Sequence, residues 1–179
     1  VDASGCLRKW DLHPSIKYAL KNMVGEGTTA IFITFLLAII GYVGLTTVVV
    51  RSLRHPMPWT LWRGVALVIV VHVAMVWVFR FHGDFSLAVR NGYAGFIMFH
   101  AALLIIIVST LVRERMARRL VQVAFVIVTM GALGASFLYE VVAVYRIPVI
   151  LCAVVGGGSL LWYYGKQFRA RAPGWVSRP

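Results

Sequence analysis

Thr29–Val50 reads TAIFITFLLAIIGYVGLTTVVV, 22 residues without a charge. A bilayer hydrocarbon core about 30 Å thick takes roughly 20 apolar residues of helix to cross, because lipid offers backbone N–H and C=O groups no partner and a helix satisfies them internally. The stretch is too long for a buried strand, so it decides the fold class: a membrane-spanning helix. Immediately after it, Arg51–Trp59 (RSLRHPMPW) is charged and carries Pro56 and Pro58, which a helix tolerates only at its ends.

Four more apolar runs follow, at Thr60–Phe79, Gly92–Val112, Leu120–Tyr139 and Ile147–Tyr164, separated by Arg80–Asn91, Arg113–Arg119 and Glu140–Arg146. Each run has about the length of one crossing. The expected fold is an all-α integral membrane protein, a five-transmembrane-helix bundle over residues 29–164. The whole chain agrees: of 179 residues, 60% are hydrophobic and 13% charged, and the mean hydropathy is +0.83. Soluble domains hold about 25% charged residues, and five crossings leave no length for a sizeable soluble domain.

Residues 1–28 form a leading segment. Within it Ile16, Ala19, Leu20, Met23 and Val24 recur at helical spacing opposite Lys17 and Lys21, with Pro14 placed to start a helix and Gly25 to stop it. This predicts a short amphipathic helix at about 14–25, either lying in the membrane interface or packed on a partner subunit. Its opening, VDASGCLRKWD, has no apolar core before the first charges and does not read as a signal peptide. Ala3-Ser4-Gly5-Cys6 is lipobox-like, although Cys6 serves equally as an ordinary surface residue. Residues 165–179 are expected to form a basic C-terminal tail.

The 18 Lys and Arg against 6 Asp and Glu fall between the apolar runs, which makes them topology signals and lipid-headgroup partners and argues against nucleic acid. Eleven lie on the side of Arg51, Arg113–Arg119 and the C-terminal tail, and seven on the other. That bias puts the N-terminus outside and the C-terminus in the cytoplasm of a bacterial inner membrane.

Chemistry centres on His72 and His100. Each lies eight residues from the same membrane face, His72 before Arg80 and His100 after Gly92, or about 12 Å deep at 1.5 Å per residue. Intramembrane ionisable side chains are costly and mark functional candidates. One imidazole from each of two helices at one level is how a bundle holds a b-type haem by its axial positions. Gly64 and Gly95 would give a flat macrocycle room, Phe96, Phe79 and Tyr93 would wall it, and Arg80 and Arg90 would meet its propionates. Helices packed 8–10 Å apart are tight for a metal with an imidazole on each side, so the pair would have to splay. Interhelical hydrogen bonding, and ligation of separate pigments or metals, remain open for both histidines.

His82 and Asp84, in RFHGDF, stand just outside that face as a candidate quinone-headgroup or proton site, or as an exposed turn around Gly83. Glu140 belongs to the same face, as a further member of that candidate quinone or proton site or as an interface partner for Arg146 or Arg80. Gly41, Gly44, Gly131, Gly134 and Gly156–Gly158 read as close helix crossings, the triple glycine also as a place for a flat cofactor or lipid. Trp59, Trp62, Trp77, Trp162, Tyr163 and Tyr164 read as interface anchors. Neither a phosphate-binding Gly-rich loop nor an HExxH is present, and no buried carboxylate pair supports hydrolysis or transport.

On His72, His100, Arg80 and Arg90, the arrangement resembles in general form the small b-type cytochrome subunits that anchor electron-transfer complexes in bacterial membranes. The likeness covers little beyond the second and third runs. It implies one haem b per chain, electron exchange with quinone or a partner membrane or periplasmic subunit, and no catalysis by the chain alone, only as part of an oxidoreductase complex. The alternative is a cofactor-free accessory or assembly subunit; a pigment- or copper-binding protein using the same histidines is a third.

Overall fold

The computed structural model describes residues 28–90, 92–138 and 140–171. Among these every regular element is a helix. They are α1 (Thr28–Arg54), α2 (Trp59–Met75) continued by a π-helical turn at Val76–Arg80, the short α3 (Phe85–Val89), α4 (Tyr93–Ser109), α5 (Glu114–Leu138), a 3-10 segment (Glu140–Tyr145) and α6 (Arg146–Arg171). Four helical stretches are long and apolar enough to cross a membrane: Phe32–Arg54, Trp59–Arg80, Glu114–Leu138 and Ala143–Ala170. The predicted interfacial helix at 14–25 and Cys6 lie outside the described residues.

α4 is shorter than its apolar run. It has 17 residues, or about 26 Å of helix, against the 21-residue run Gly92–Val112. Its end is built by side chains that turn back on the backbone: the Ser109 and Thr110 hydroxyls donate to the carbonyls of Ile106 and Ile107 at 2.6 and 2.7 Å. Elsewhere the helices overrun the apolar limits, because hydrogen bonding propagates beyond the lipid where charged residues are welcome. α5 begins at Glu114, six residues before Leu120, and α6 continues to Arg171, so residues 165–171 of the expected tail are helix.

α1 is the hub, packed against α2, α5 and α6, while α4 lies mainly against α5. Most of the core sits in the half of the bundle near the loops that follow α1 and α4, where Leu45, Val48, Val49, Trp62, Val121 and Phe125 are almost fully buried. Glycines make room there for side chains of the neighbouring helix. A Cβ on Gly44 would stand 2.6 Å from Val65, and one on Gly156 would strike the Phe125 ring. Trp62, expected as an interface anchor, is instead fully buried.

This tight end is locked by a residue the sequence did not single out. In Pro56-Met57-Pro58 only Met57 has a backbone N–H, and it is buried; it donates to Glu114 Oε1 at 3.0 Å, the same oxygen that takes Arg118 Nη2 at 2.7 Å. The start of α5 is thereby fastened to the α1–α2 loop. In Glu114→Ala the Met57 amide should exchange its hydrogen markedly faster than in the wild type, and Glu114→Gln, which keeps an acceptor oxygen, should restore most of the protection. Equal exchange in all three proteins would show that the bond does not hold the loop.

Candidate functional site around His72 and His100

The opposite half is built differently. At the end of α2 the Phe81 N–H reaches back five residues to Val76 O at 3.1 Å, which closes the π turn that carries Trp77. Such one-residue insertions recur where a helix must aim a side chain. His82 then takes φ +51° and Gly83 φ +74°, and the Asp84 carboxylate accepts the Ser86 N–H at 2.8 Å to cap α3. A left-handed backbone suits Gly83 and is unusual for His82.

Both histidines are half-buried and each has a partner, but not the same one. His72 Nδ1 lies 2.8 Å from the carbonyl oxygen of Thr34 on α1. His100 Nδ1 lies 2.8 Å from the Phe96 carbonyl, one turn back on α4, and its Nε2 accepts the Trp77 indole N–H at 3.1 Å. A carbonyl only accepts, so Nδ1 carries the proton in both rings, and the bond from Trp77 requires a lone pair on His100 Nε2. His100 is therefore the neutral Nδ1–H tautomer with both nitrogens satisfied.

Aromatic rings enclose it. Phe96 stacks on the His100 ring at 3.9 Å and 26°, and Trp77 meets His100 and Phe96 edge-on at 6.0 and 6.2 Å. Phe81 and Phe85 extend the cluster, at 5.9 Å from Trp77 and 5.2 Å from Phe96. Phe96, expected as a wall beside a macrocycle, lies flat on the imidazole itself. Trp77, expected at the interface, fills the side of His100 toward α2. No hydrogen bond or ring contact joins His72 to His100; a metal on His100 Nε2 would first have to displace Trp77.

The other expected site residues are scattered. Gly64 and Gly95 are exposed, with nothing within 4 Å of where a Cβ would stand, and Arg80 and Arg90 are exposed at the π turn and after α3. Tyr93 is 61% and Phe79 49% exposed. His82 and Asp84 are neighbours in one exposed turn, with no bond between them. The Ser86 hydrogen bonds hold the Asp84 carboxyl below the usual carboxylate range, so the cap persists at neutral pH and loosens as pH falls through that lowered value. Arg146 donates from Nε to Ser136 O at 2.8 Å and lies 5.5 Å from the centre of the Phe137 ring. The Glu140 side chain is outside what the structure describes. Among the described residues no group of three or more His, Cys, Asp or Glu is placed to hold a metal.

Sequence reading missed Trp77 because no helical spacing rule links it to His100 on another helix, and missed Thr34 because it contributes only a backbone carbonyl. What the site does chemically is clear from its bonds. His72 ties α2 to α1, Trp77–His100 ties α2 to α4, and Tyr42–Thr129 (2.9 Å) and Tyr164–Gln122 (2.6 Å) tie α5 to α1 and α6. In lipid such interhelical bonds average about 0.6 kcal/mol each and fix register as much as stability. Comparison with protein-family models, curated proteins and solved structures gives no match for this chain.

Proposed function

We propose that this chain is a cofactor-free accessory subunit of a multi-subunit membrane complex, with its intramembrane histidines serving the bundle rather than a redox group. One observation carries the reading. Those glycines that lie both in a helix and in an apolar run divide into two sets: Gly41, Gly44, Gly131 and Gly156 are spent on contacts inside the bundle, whereas Gly64, Gly95, Gly134, Gly157 and Gly158 have nothing within 4 Å of a would-be Cβ. A glycine inside a helix costs about 1 kcal/mol relative to alanine. In a membrane helix that cost is offset where another backbone comes close, and for the second set that backbone is supplied by a neighbouring subunit.

In this reading α4 is a fifth crossing helix, its 17 residues at the short end of the usual span range, and the amphipathic segment at 14–25 rests at the interface. The end carrying Arg113, Arg115, Arg118 and Arg119 faces the cytoplasm of a bacterial inner membrane, as the excess of basic residues there favours.

A second reading, the b-type cytochrome subunit exchanging electrons with quinone or a partner, has one observation in its favour. With Nδ1–H held by Thr34 O, His72 is oriented as metal-bound histidines commonly are, through a second-shell carbonyl, and its Nε2 has no protein partner among the described residues.

The two separate in one preparation. Solubilised from its native membrane in mild detergent, the chain should show no visible absorption and should run in a species larger than its own 19.9 kDa would give. Gly158→Leu, which meets nothing inside the bundle, should release a folded single chain. A colourless monomer in both proteins removes the accessory reading. A haem spectrum lost in His72→Ala replaces it with the cytochrome.

A further inference from the structure

On the outer side of the α5–α6 pair, at the end where both helices leave the apolar region, a groove of about 1050 Å³ opens toward the surroundings. Its α5 wall is Arg119, Val123, Val126 and Ile127, residues spaced 4, 3 and 1 apart and so on one helical face. Leu160, Leu161, Tyr164 and Phe168 make the α6 wall in the same manner. From Arg119 to Ile127 the groove follows about 12 Å of helix. Polarity changes along it. Arg115, one turn further out, and Arg119 stand at one end, the Gln122–Tyr164 hydrogen bond and Gln167 come next, and beyond them the lining is aliphatic.

We infer that this groove is a binding site for one anionic phospholipid, the phosphoryl group at Arg119 and an acyl chain along Val123, Val126 and Ile127. The inference is independent of the accessory and cytochrome readings. Charge decides the occupant. The lining holds Arg119 and no acid, and the one acid on α5, Glu114, already has its carboxylate taken by Met57 and Arg118. A negative headgroup therefore meets guanidinium with no competing carboxylate on either wall. Gln122 is 8% exposed, its Oε1 takes the Tyr164 hydroxyl, and its amide nitrogen has no hydrogen-bond partner among the described residues, which leaves a second donor toward the headgroup oxygens. The long Arg119 stem covers apolar surface while its head reaches the interface, as arginines at helix ends do.

The test is native mass spectrometry of the full-length chain in detergent, offered phosphatidylglycerol or phosphatidylcholine of identical acyl chains. Wild type should retain the anionic lipid preferentially, and Arg119→Gln should reduce that preference about fivefold, the effect of one basic residue on an anionic headgroup. Arg54→Gln, which removes an exposed charge from the same end of the bundle but outside the groove, should leave the preference in place. Val126→Trp should lower retention of phosphatidylglycerol with Arg119 still present, because the indole occupies the acyl channel. Equal losses from Arg119→Gln and Arg54→Gln would assign the preference to diffuse surface charge and overturn the site. Undiminished retention in Val126→Trp, or no preference in the wild type, would overturn it as well.

Discussion

Gly156→Leu should be the most damaging single substitution in the bundle. A Cβ at this position would strike the tip of the Phe125 ring at Cζ, and Phe125 is itself 1% exposed and held between α1 and α6, so it has nowhere to turn. The Tyr42 ring, at 6.1 Å and 16° to Phe125, closes the other side. Overpacking of a filled core costs about 1–3 kcal/mol when side chains alone can yield. Here α6 must move away, and the Tyr164–Gln122 bond between the same helices is strained with it, so the leucine should cost more than that range and the smaller Gly156→Ala should fall within it. Unfolding in a graded denaturing detergent measures both. In the chain separated from any neighbouring subunit, Gly157→Ala and Gly158→Ala are the internal controls, since open space at both then predicts no loss and a gain of up to about 1 kcal/mol from helix propensity. Phe125→Leu placed in the Gly156→Ala background should recover part of the stability, and the coupling in that cycle isolates the contact. Equal stability of the Gly156 and Gly157 variants would show that the close approach of α5 and α6 is not what the triple glycine serves.

That contrast also marks where the sequence was legible and where it stopped. The apolar run Thr29–Val50 announces its own environment, because hydrophobic length is a local property that lipid thickness converts directly into structure. Prolines 56 and 58 likewise declare the turn after α1. Helix ends are less readable: Glu114 to Arg119 is polar and reads as a connection, yet the backbone continues as helix there because nothing breaks it and Glu114 finds Met57 across 57 positions of sequence. The histidine pair shows the same limit. Depth along a helix follows from counting residues, which puts His72 and His100 at one level. Which way each ring points depends on helix rotation and on the π turn at Val76–Arg80, neither of which leaves a mark in residue spacing. A five-residue offset puts Trp77, not His72, beside His100. In the same way the glycines were readable as places of close approach, but which of them approach a helix of this chain was a matter of its packing.

Trp62 provides the second large effect, and its two substitutions separate packing from hydrogen bonding. The side chain is 0% exposed and forms part of the core cluster with Leu45, Val65 and Phe125. Trp62→Ala should cost about 3–5 kcal/mol, the range for truncating a buried large aromatic, provided the helices do not close over the void. Lipid does not change the sign, because the loss is of dispersion contacts that a cavity cannot replace. The indole N–H tells a different story. Nε1 is buried without a hydrogen-bond partner among the described residues. An unmet donor in an apolar interior is a standing cost of about 1–3 kcal/mol. Trp62→Phe removes that cost along with some volume, so the two changes oppose each other and the phenylalanine variant should lie close to wild type. If it unfolds nearly as readily as the alanine variant, Nε1 has a partner, and the natural one in a site this enclosed is an ordered water bridging to a nearby carbonyl. Cross-relaxation between the indole proton and water then decides the matter: slow hydrogen exchange in the folded bundle accompanies either arrangement, but only a bridging water gives the proton a partner in solvent.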